Sequence, residues 1–283
     1  MYPELLQLGP IHIRAYGAML AVAFLVGTFL ALSEARRLKL DEDRLVTVIL
    51  VALVAGVLGA RVLYVFEHID QFQREWAGAL ALWQGGLTLY GGIVAGTLAG
   101  LLVARRMGQP IWVVADVLTP SLALGTMFGR VGCFLNGCCY GRPTGHSWGV
   151  TFPGDSYAGL EFGNAPLHPS QLYAAFAGLV LFLVFWALRT RNTAPGVRFW
   201  AFLASFAVLR VGIDFTRAWE NDAKLLAIGD FPITESQITS FALALFSLLM
   251  IIRLHREGAS PGAPMAGRSG PVAGESSSAA PRG

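Results

Sequence analysis

Charge is scarce in this chain: of 283 residues only 14% are Asp, Glu, Lys or Arg, where a soluble globular domain carries about 25%. With 54% hydrophobic residues and a mean hydropathy of +0.56, that scarcity excludes an ordinary water-soluble enzyme. No run of five Lys or Arg occurs and the formal charge is only +3, which argues against a nucleic-acid partner. G-x-S-x-G, a P-loop and H-E-x-x-H are all missing, so no conventional hydrolase nucleophile is supplied. A transferase whose acceptor brings its own nucleophile fits that absence. No internal repeat is evident in the sequence, which removes support for an inverted-repeat transporter. The 33 Gly and 14 Pro do not signal disorder against so much apolar content.

What is present is a series of long apolar stretches. Ala15–Leu32, Gly85–Ala104, Ser170–Leu188 and Ser236–Ile252 run 17 to 20 residues without a charge. At about 1.5 Å per residue each can cross a hydrocarbon layer about 30 Å thick. Three further stretches are interrupted: Leu45–Phe66 by Arg61, Ile111–Phe128 by Asp116 and Pro120, and one from Phe199 by Arg210 and then Asp214. Counting all seven predicts an all-α polytopic membrane protein, with a membrane domain over 1–256 and a disordered tail over 257–283. The first stretch exceeds a signal-peptide core of about 7–15 residues and ends in charge, so it reads as a span. Gly92, Gly96 and Gly100 lie along one helix face, which permits close helix packing.

Thirteen of the 21 basic residues fall in alternate connections and in the C-terminal tail. The positive-inside rule makes that side cytoplasmic, with the N-terminus outside and external loops near 67–84, 130–169 and 215–235. The other eight are Arg14, Arg61, Arg74, Arg130, Arg142, Arg210, Arg217 and Lys224, all on the external side or in the outer part of a span. Arg61 follows 16 apolar residues, roughly 24 Å along its helix. One such Arg commonly snorkels to the headgroups. Several converging in one leaflet with few acids nearby predict an anion site, and a guanidinium fork matches a lipid phosphate.

Other polar residues point to the same level. His168-Pro169-Ser170-Gln171 opens a span from outside, where a helix N-terminus either caps itself or offers N–H groups to an anion. Arg210, Asp214 and Arg217 fall on one face if the helix continues, with Asp214 orienting the two guanidiniums. Tyr16, Tyr64 and Tyr90 lie at outer levels, where tyrosines ordinarily anchor at the interface. Cys133, Cys138 and Cys139 crowd together at an external span end. They are one ligand short of tetrahedral zinc, so no metal is expected; a disulfide or simple packing both fit.

Taken in order, these residues resemble the bacterial prolipoprotein diacylglyceryl transferase family from about Leu8 to Ile252. The landmarks are Arg14-Ala15-Tyr16-Gly17, Gly59-Ala60-Arg61 with Tyr64, Gly85-Gly86-Leu87 with Tyr90-Gly91-Gly92, and His168 to Tyr173. The most specific is Gly129-Arg130-Val131-Gly132-Cys133-Phe134-Leu135-Asn136, close to the family's G-R-x-G-N-F-x-N. The resemblance implies a multi-pass enzyme of the bacterial inner membrane. Such an enzyme moves diacylglycerol from phosphatidylglycerol onto the lipobox cysteine thiol of a prolipoprotein signal sequence, releasing glycerol phosphate without a cofactor. It implies Arg130 and Arg210 on the phosphate, and Arg61 and Arg217 orienting lipid. Tyr16, Tyr64, Tyr90, Asn136, His168, Gln171 and Asp214 would complete the cavity. The chain departs from the pattern with Tyr90 for a His, Cys133 for an Asn, and Cys138 and Ala174 for Glu. A phenol near pKa 10 is a poor base at neutral pH. Those losses keep two rivals open: a non-catalytic lipid-binding relative, and an anion or lipid transporter.

Overall fold

A computed structural model describes residues 4–8, 11–73, 76–81, 85–218, 224–228 and 231–258. Arg74 and the tail beyond 258 lie outside the described residues, as do parts of two of the expected external loops. In chain order a hairpin, β1 (Glu4–Leu8) and β2 (Ile11–Arg14), leads into α1 (Ala15–Arg37) and α2 (Glu42–Glu67). A short α3 (Ile69–Phe72) and a 3₁₀ turn precede α4 (Leu89–Arg106) and α5 (Ile111–Asn136). Then come α6 (Tyr157–Phe162), α7 (Ser170–Ala187) and α8 (Val197–Asp214). A second hairpin, β3 (Lys224–Ile228) and β4 (Phe231–Thr234), leads into α9 (Glu235–Gly258).

Five helices, α1, α2, α5, α7 and α9, are long and apolar enough to cross a membrane. Their surfaces suit oil rather than water: Leu25 and Phe29 of α1 are each 67% exposed. The helices α4 and α8 are 18 residues long, but Arg105 and Arg106 end one, and Arg198, Arg210 and Asp214 punctuate the other.

Arg61, Asp116, Pro120 and Arg210 do not break their helices, and each of the charged ones is met by a neighbouring segment, whereas α8 ends at Asp214. Asp116 sits one turn into α5, with its two carboxylate oxygens accepting from the N–H groups of Gly196 (2.8 Å) and Phe199 (2.9 Å). It therefore caps α8 from another helix, and Arg198 lies 3.7 Å from the same carboxylate. Pro120 removes one helical bond, yet Thr119 and Ser121 hydroxyls donate to Ala115 O and Gly27 O and tie this turn in place. Replacing Asp116 by Ala is expected to lower unfolding free energy by about 3 kcal/mol, since it leaves buried donors and a cation without their partner. Denaturation of the detergent-solubilised protein measures this.

The basic helix ends gather at one end of the bundle. Arg37 and Arg189 share the buried Glu34, and Arg44 donates to Met107 O at 2.9 Å. Gly196, just before α8, rests against Trp112 and Leu254. The opposite end carries a folded cap over 137–169, with its own small core of Phe152, Ala158 and Leu167. Backbone bonds from Arg142 to Thr216 (3.0 Å) and from Ala218 to Tyr140 (3.3 Å) fasten it to the segment after α8.

The glycine stripe of α4 packs against α2: added Cβ atoms would lie 3.1 Å from Gly56 O at Gly92 and 2.9 Å from Ala52 O at Gly96. The two hairpins were not anticipated. They pair in the same register with the same irregularity, Glu4↔Arg14 in one and Lys224↔Thr234 in the other, and each feeds directly into a long helix. A local repeat thus exists where the sequence shows only faint likeness, Leu5-Leu6 against Leu225-Leu226 and Ile13 against Ile233.

Candidate functional site

At the capped end, α5, α7 and α8 border a small, partly open cavity. Arg130 of α5 and Arg210 of α8 line it together with Thr126, and Leu181, Phe206, Leu209 and Ile213 supply an apolar wall. Its lining combines two guanidiniums with apolar side chains.

Arg210 is held in place rather than left to roam. Its Nε and Nη2 donate to Ser236 Oγ at 3.2 and 3.0 Å, and Nη2 lies 3.4 Å from Asp214 Oδ1. Ser236 in turn donates to Asp214 Oδ2 at 2.6 Å. The first turn of α9 therefore braces a carboxylate–guanidinium pair on α8. Ser236 was not picked out from the sequence, and a serine opening an apolar helix carries no signal beyond capping.

Arg130 and Arg217 are both charged neighbours of Arg210, with the Cys139 sulfur beside them. Arg130 meets no carboxylate within ion-pair distance among the described residues. Three guanidiniums thus lie in one half-buried neighbourhood, with Arg210 paired to Asp214. Arg217 does not share a helical face with Arg210 and Asp214 as the spacing predicts. The helix α8 stops at Asp214, and Arg217 forms a backbone bridge with Gly141 of the cap. It reaches the same neighbourhood by a turn.

Tyr16 joins this group: its ring lies against Gly132, and its electrostatic neighbours are Cys133, Cys138, Arg130 and Cys139. Asn136 ends α5, and its side chain lies near Cys138. Gly137 then reverses the chain at φ 70°, where a side chain would be strained. Gln171 is only 1% exposed; its Nε2 donates to Cys138 O at 2.8 Å, while its Oε1 has no hydrogen-bond partner among the described residues. A buried acceptor in that state is suited to a substrate hydroxyl or water.

The helix α7 starts at Ser170, as His168-Pro169-Ser170-Gln171 predicts. Ser170 Oγ bonds Thr216 O and Oγ1 instead of capping its own helix. His168 lies two residues before α7, outside the cavity's lining residues, with Nδ1 3.2 Å from the Tyr173 hydroxyl, and Trp148 donates to that hydroxyl at 2.9 Å. Partial desolvation, then the charges of Arg142 and His146, push the His168 imidazole below its usual pKa and keep it neutral.

Arg61, Tyr64 and Tyr90 are placed apart from this cavity. Arg61 is buried and its guanidinium donates to four backbone carbonyls: Gly78 (2.7 Å), Ala79 (2.9 Å), Gly86 (2.9 Å) and Gly85. Its guanidinium carbon lies over the rings of Tyr64 (5.5 Å) and Phe72 (5.6 Å), and Tyr64 stacks on His68 at 4.3 Å. Gly85 and Gly86 both adopt positive φ to present their carbonyls, and Tyr64 packs where a Gly86 side chain would stand. These residues clamp the connection before α4. Tyr90 stands 67% exposed in the first turn of α4 and is not among the cavity's lining residues.

Arg61→Lys is expected to preserve the charge but release the clamp, because an ammonium cannot span four diverging carbonyls. Limited proteolysis should show new cleavage between 76 and 88, with wild-type protein protected there.

The three cysteines, all free, hold their sulfur atoms within 4.8 Å of one another, near the Arg130 and Arg217 charges but not among the cavity's lining residues. Hydrogen bonds from the Cys133 and Cys138 thiols, followed by the Arg217 and Arg130 charges, hold the Cys139 thiol far below its usual range.

A family model described as prolipoprotein diacylglyceryl transferase matches residues 3–253. Among similar proteins, one from Geobacter sulfurreducens is 35% identical over 92% of this chain and 97% of its own length. Another, from Thermus thermophilus, is 35% identical over 90% of this chain and 99% of its own. A third, from Bacillus cereus, is 30% identical over 89% and 92% respectively. All three bear the name phosphatidylglycerol–prolipoprotein diacylglyceryl transferase.

Proposed function

The chain belongs to the prolipoprotein diacylglyceryl transferase family, and on that premise we propose that its arginine-lined cavity carries out transfer from phosphatidylglycerol to a prolipoprotein. The observation that carries this reading is the pairing of Arg130 and Arg210 across one cavity whose remaining wall is apolar. A phosphodiester in a bilayer presents that same pairing of an anion with hydrocarbon.

In the proposed reaction the sulfur of the lipobox cysteine attacks the carbon of the diacylglyceryl moiety that bears the phosphate, not that of the headgroup glycerol. A C–S bond forms, the C–O bond breaks, and its electron pair leaves on glycerol phosphate. The thiol proton is balanced by the phosphate monoester, which gains an ionisable oxygen. Arg130 and Arg210 stabilise the charge that grows on the departing phosphate, the largest electrostatic demand of the step. Asp214 and Ser236 hold Arg210 in register. Gln171 and Asn136 orient the headgroup hydroxyls, and Tyr16, His168 and Arg217 complete the polar rim. Arg61 and Tyr64 act through the clamp before α4, and Tyr90, at the mouth of α4, contacts the incoming substrate.

The same reading makes all seven long helices spans of a bacterial inner membrane. The arginine-rich helix ends face the cytoplasm, and the cavity and cap face outward. Support comes from the bias of thirteen basic residues to one set of connections.

The test is incubation of the purified protein with phosphatidylglycerol and a lipobox peptide, followed by mass spectrometry. A peptide carrying a diacylglyceryl group is the expected product. No adduct, in conditions where an active relative makes one, leaves a lipid-binding protein without catalysis.

A further inference from the structure

The geometry points to Cys133, Cys138 and Cys139 as a three-sulfur site for a soft monovalent ion, copper(I) in chemical class, set against the arginine cavity and able to shut it. A trigonal ion with metal–sulfur bonds near 2.3 Å holds its sulfurs about 4 Å apart. Here all three already lie within 4.8 Å of one another, so rotation of side chains alone brings them onto an ion. The chain path enforces this: Cys133 is in the last turn of α5, Gly137 reverses the backbone, and Cys139 adopts φ 60°. Gln171 pins the turn from α7 through Cys138 O.

Ligand type and charge select the ion. Three thiolates favour soft ions such as copper(I) over oxygen-seeking ones, and lack the fourth ligand of a closed zinc site. Three thiolates with a monovalent ion carry two negative charges, and Arg130, Arg217 and Arg210 are cations near Cys139 that offset them. A disulfide uses two sulfurs and leaves the third idle; a metal employs all three.

Occupancy has a consequence that rests on the function proposed above. Thiolates locked on the ion draw the neighbouring Arg130 and Arg217 toward the cysteine cluster, away from the phosphate, so bound ion should raise KM for phosphatidylglycerol. The experiment titrates copper(I) into the full-length protein, reduced and in detergent, against a chromophoric copper(I) chelator. One ion per chain with a sulfur-only first shell by X-ray absorption is expected. Cys133→Ser, Cys138→Ser and Cys139→Ser should each weaken binding at least tenfold. Binding unchanged in those variants, a mixed oxygen shell, or an oxidised pair of cysteines in the protein as isolated overturns the site. Transfer is then measured with and without copper(I), each variant against its own metal-free rate. A KM raised severalfold in wild type and unmoved in Cys138→Ser supports the block, and equal inhibition of both overturns it. Absence of transfer in metal-free protein counts against the proposed function alone, because the binding measurement does not use it.

Discussion

Arg210→Ala is expected to lower diacylglyceryl transfer by about 10²- to 10³-fold, the loss that follows removal of one charge-stabilising donor from a catalytic site. Arg130→Ala should match it, since the two guanidiniums line the same cavity from opposite helices. Lysine at either position is expected to restore little, because a point charge does not reproduce a planar fork on phosphate oxygens. Stability complicates the single Arg210 variant. It strips the buried Asp214 of its cation, and breaking a buried pair costs about 3–5 kcal/mol. The double variant Arg210→Ala with Asp214→Asn separates the two effects: the melting temperature should recover toward wild type while transfer stays lost. Recovery of transfer along with stability would show that Arg210 merely props up Asp214. Ser236→Ala should leave the ion pair but loosen Arg210, a loss nearer tenfold.

How much of this was legible in the sequence depends on the range of the force concerned. The apolar lengths of α1, α2, α5, α7 and α9 announce themselves, because crossing hydrocarbon is a property of a single segment. Convergence of Arg130 and Arg210 was also readable, since topology places both at one end of adjacent helices. Arg61 was not. Its burial against four carbonyls depends on a turn at Gly85 and Gly86 whose positive φ values no spacing rule reveals. The interruption at Asp116 read as a weakness in a span, whereas it is the cap of a helix that begins eighty residues later. Arg217 obeyed the helical arithmetic only on paper, because α8 ends three residues earlier and the chain turns into the cap. The hairpins carry alternating apolar residues, but strands this short pass for loop beside a long helix.

Gly59→Val is expected to be the most damaging substitution away from the arginines. The helices α2 and α4 touch backbone to backbone here. A Cβ on Gly59 would lie 2.7 Å from Gly91 O and closer still to Ala95 Cβ, and a Cβ on Gly91 would stand 2.6 Å from Leu63 Cβ. Neither obstacle is the flexible end of a side chain, so the helices must separate along the whole stripe down to Gly100. In a bilayer no hydrophobic force draws helices together, so lost close packing is lost association. A penalty at or above the usual overpacking range of about 1–3 kcal/mol follows, with little protein accumulating in the membrane. The damage also reaches the clamp, because Arg61 rides on α2 two residues beyond Gly59, and its carbonyl partners sit just before α4. Gly59→Ala, a milder case, should regain part of its stability when paired with Ala95→Gly, which removes one obstacle but not Gly91 O. Gly125→Ala on α5 provides the contrast: nothing lies within 4 Å of its added methyl, so its melting temperature should match wild type. Melting curves of the detergent-solubilised variants decide the matter. If Gly59→Val and Gly125→Ala melt alike, the α2–α4 contact does not hold the bundle together.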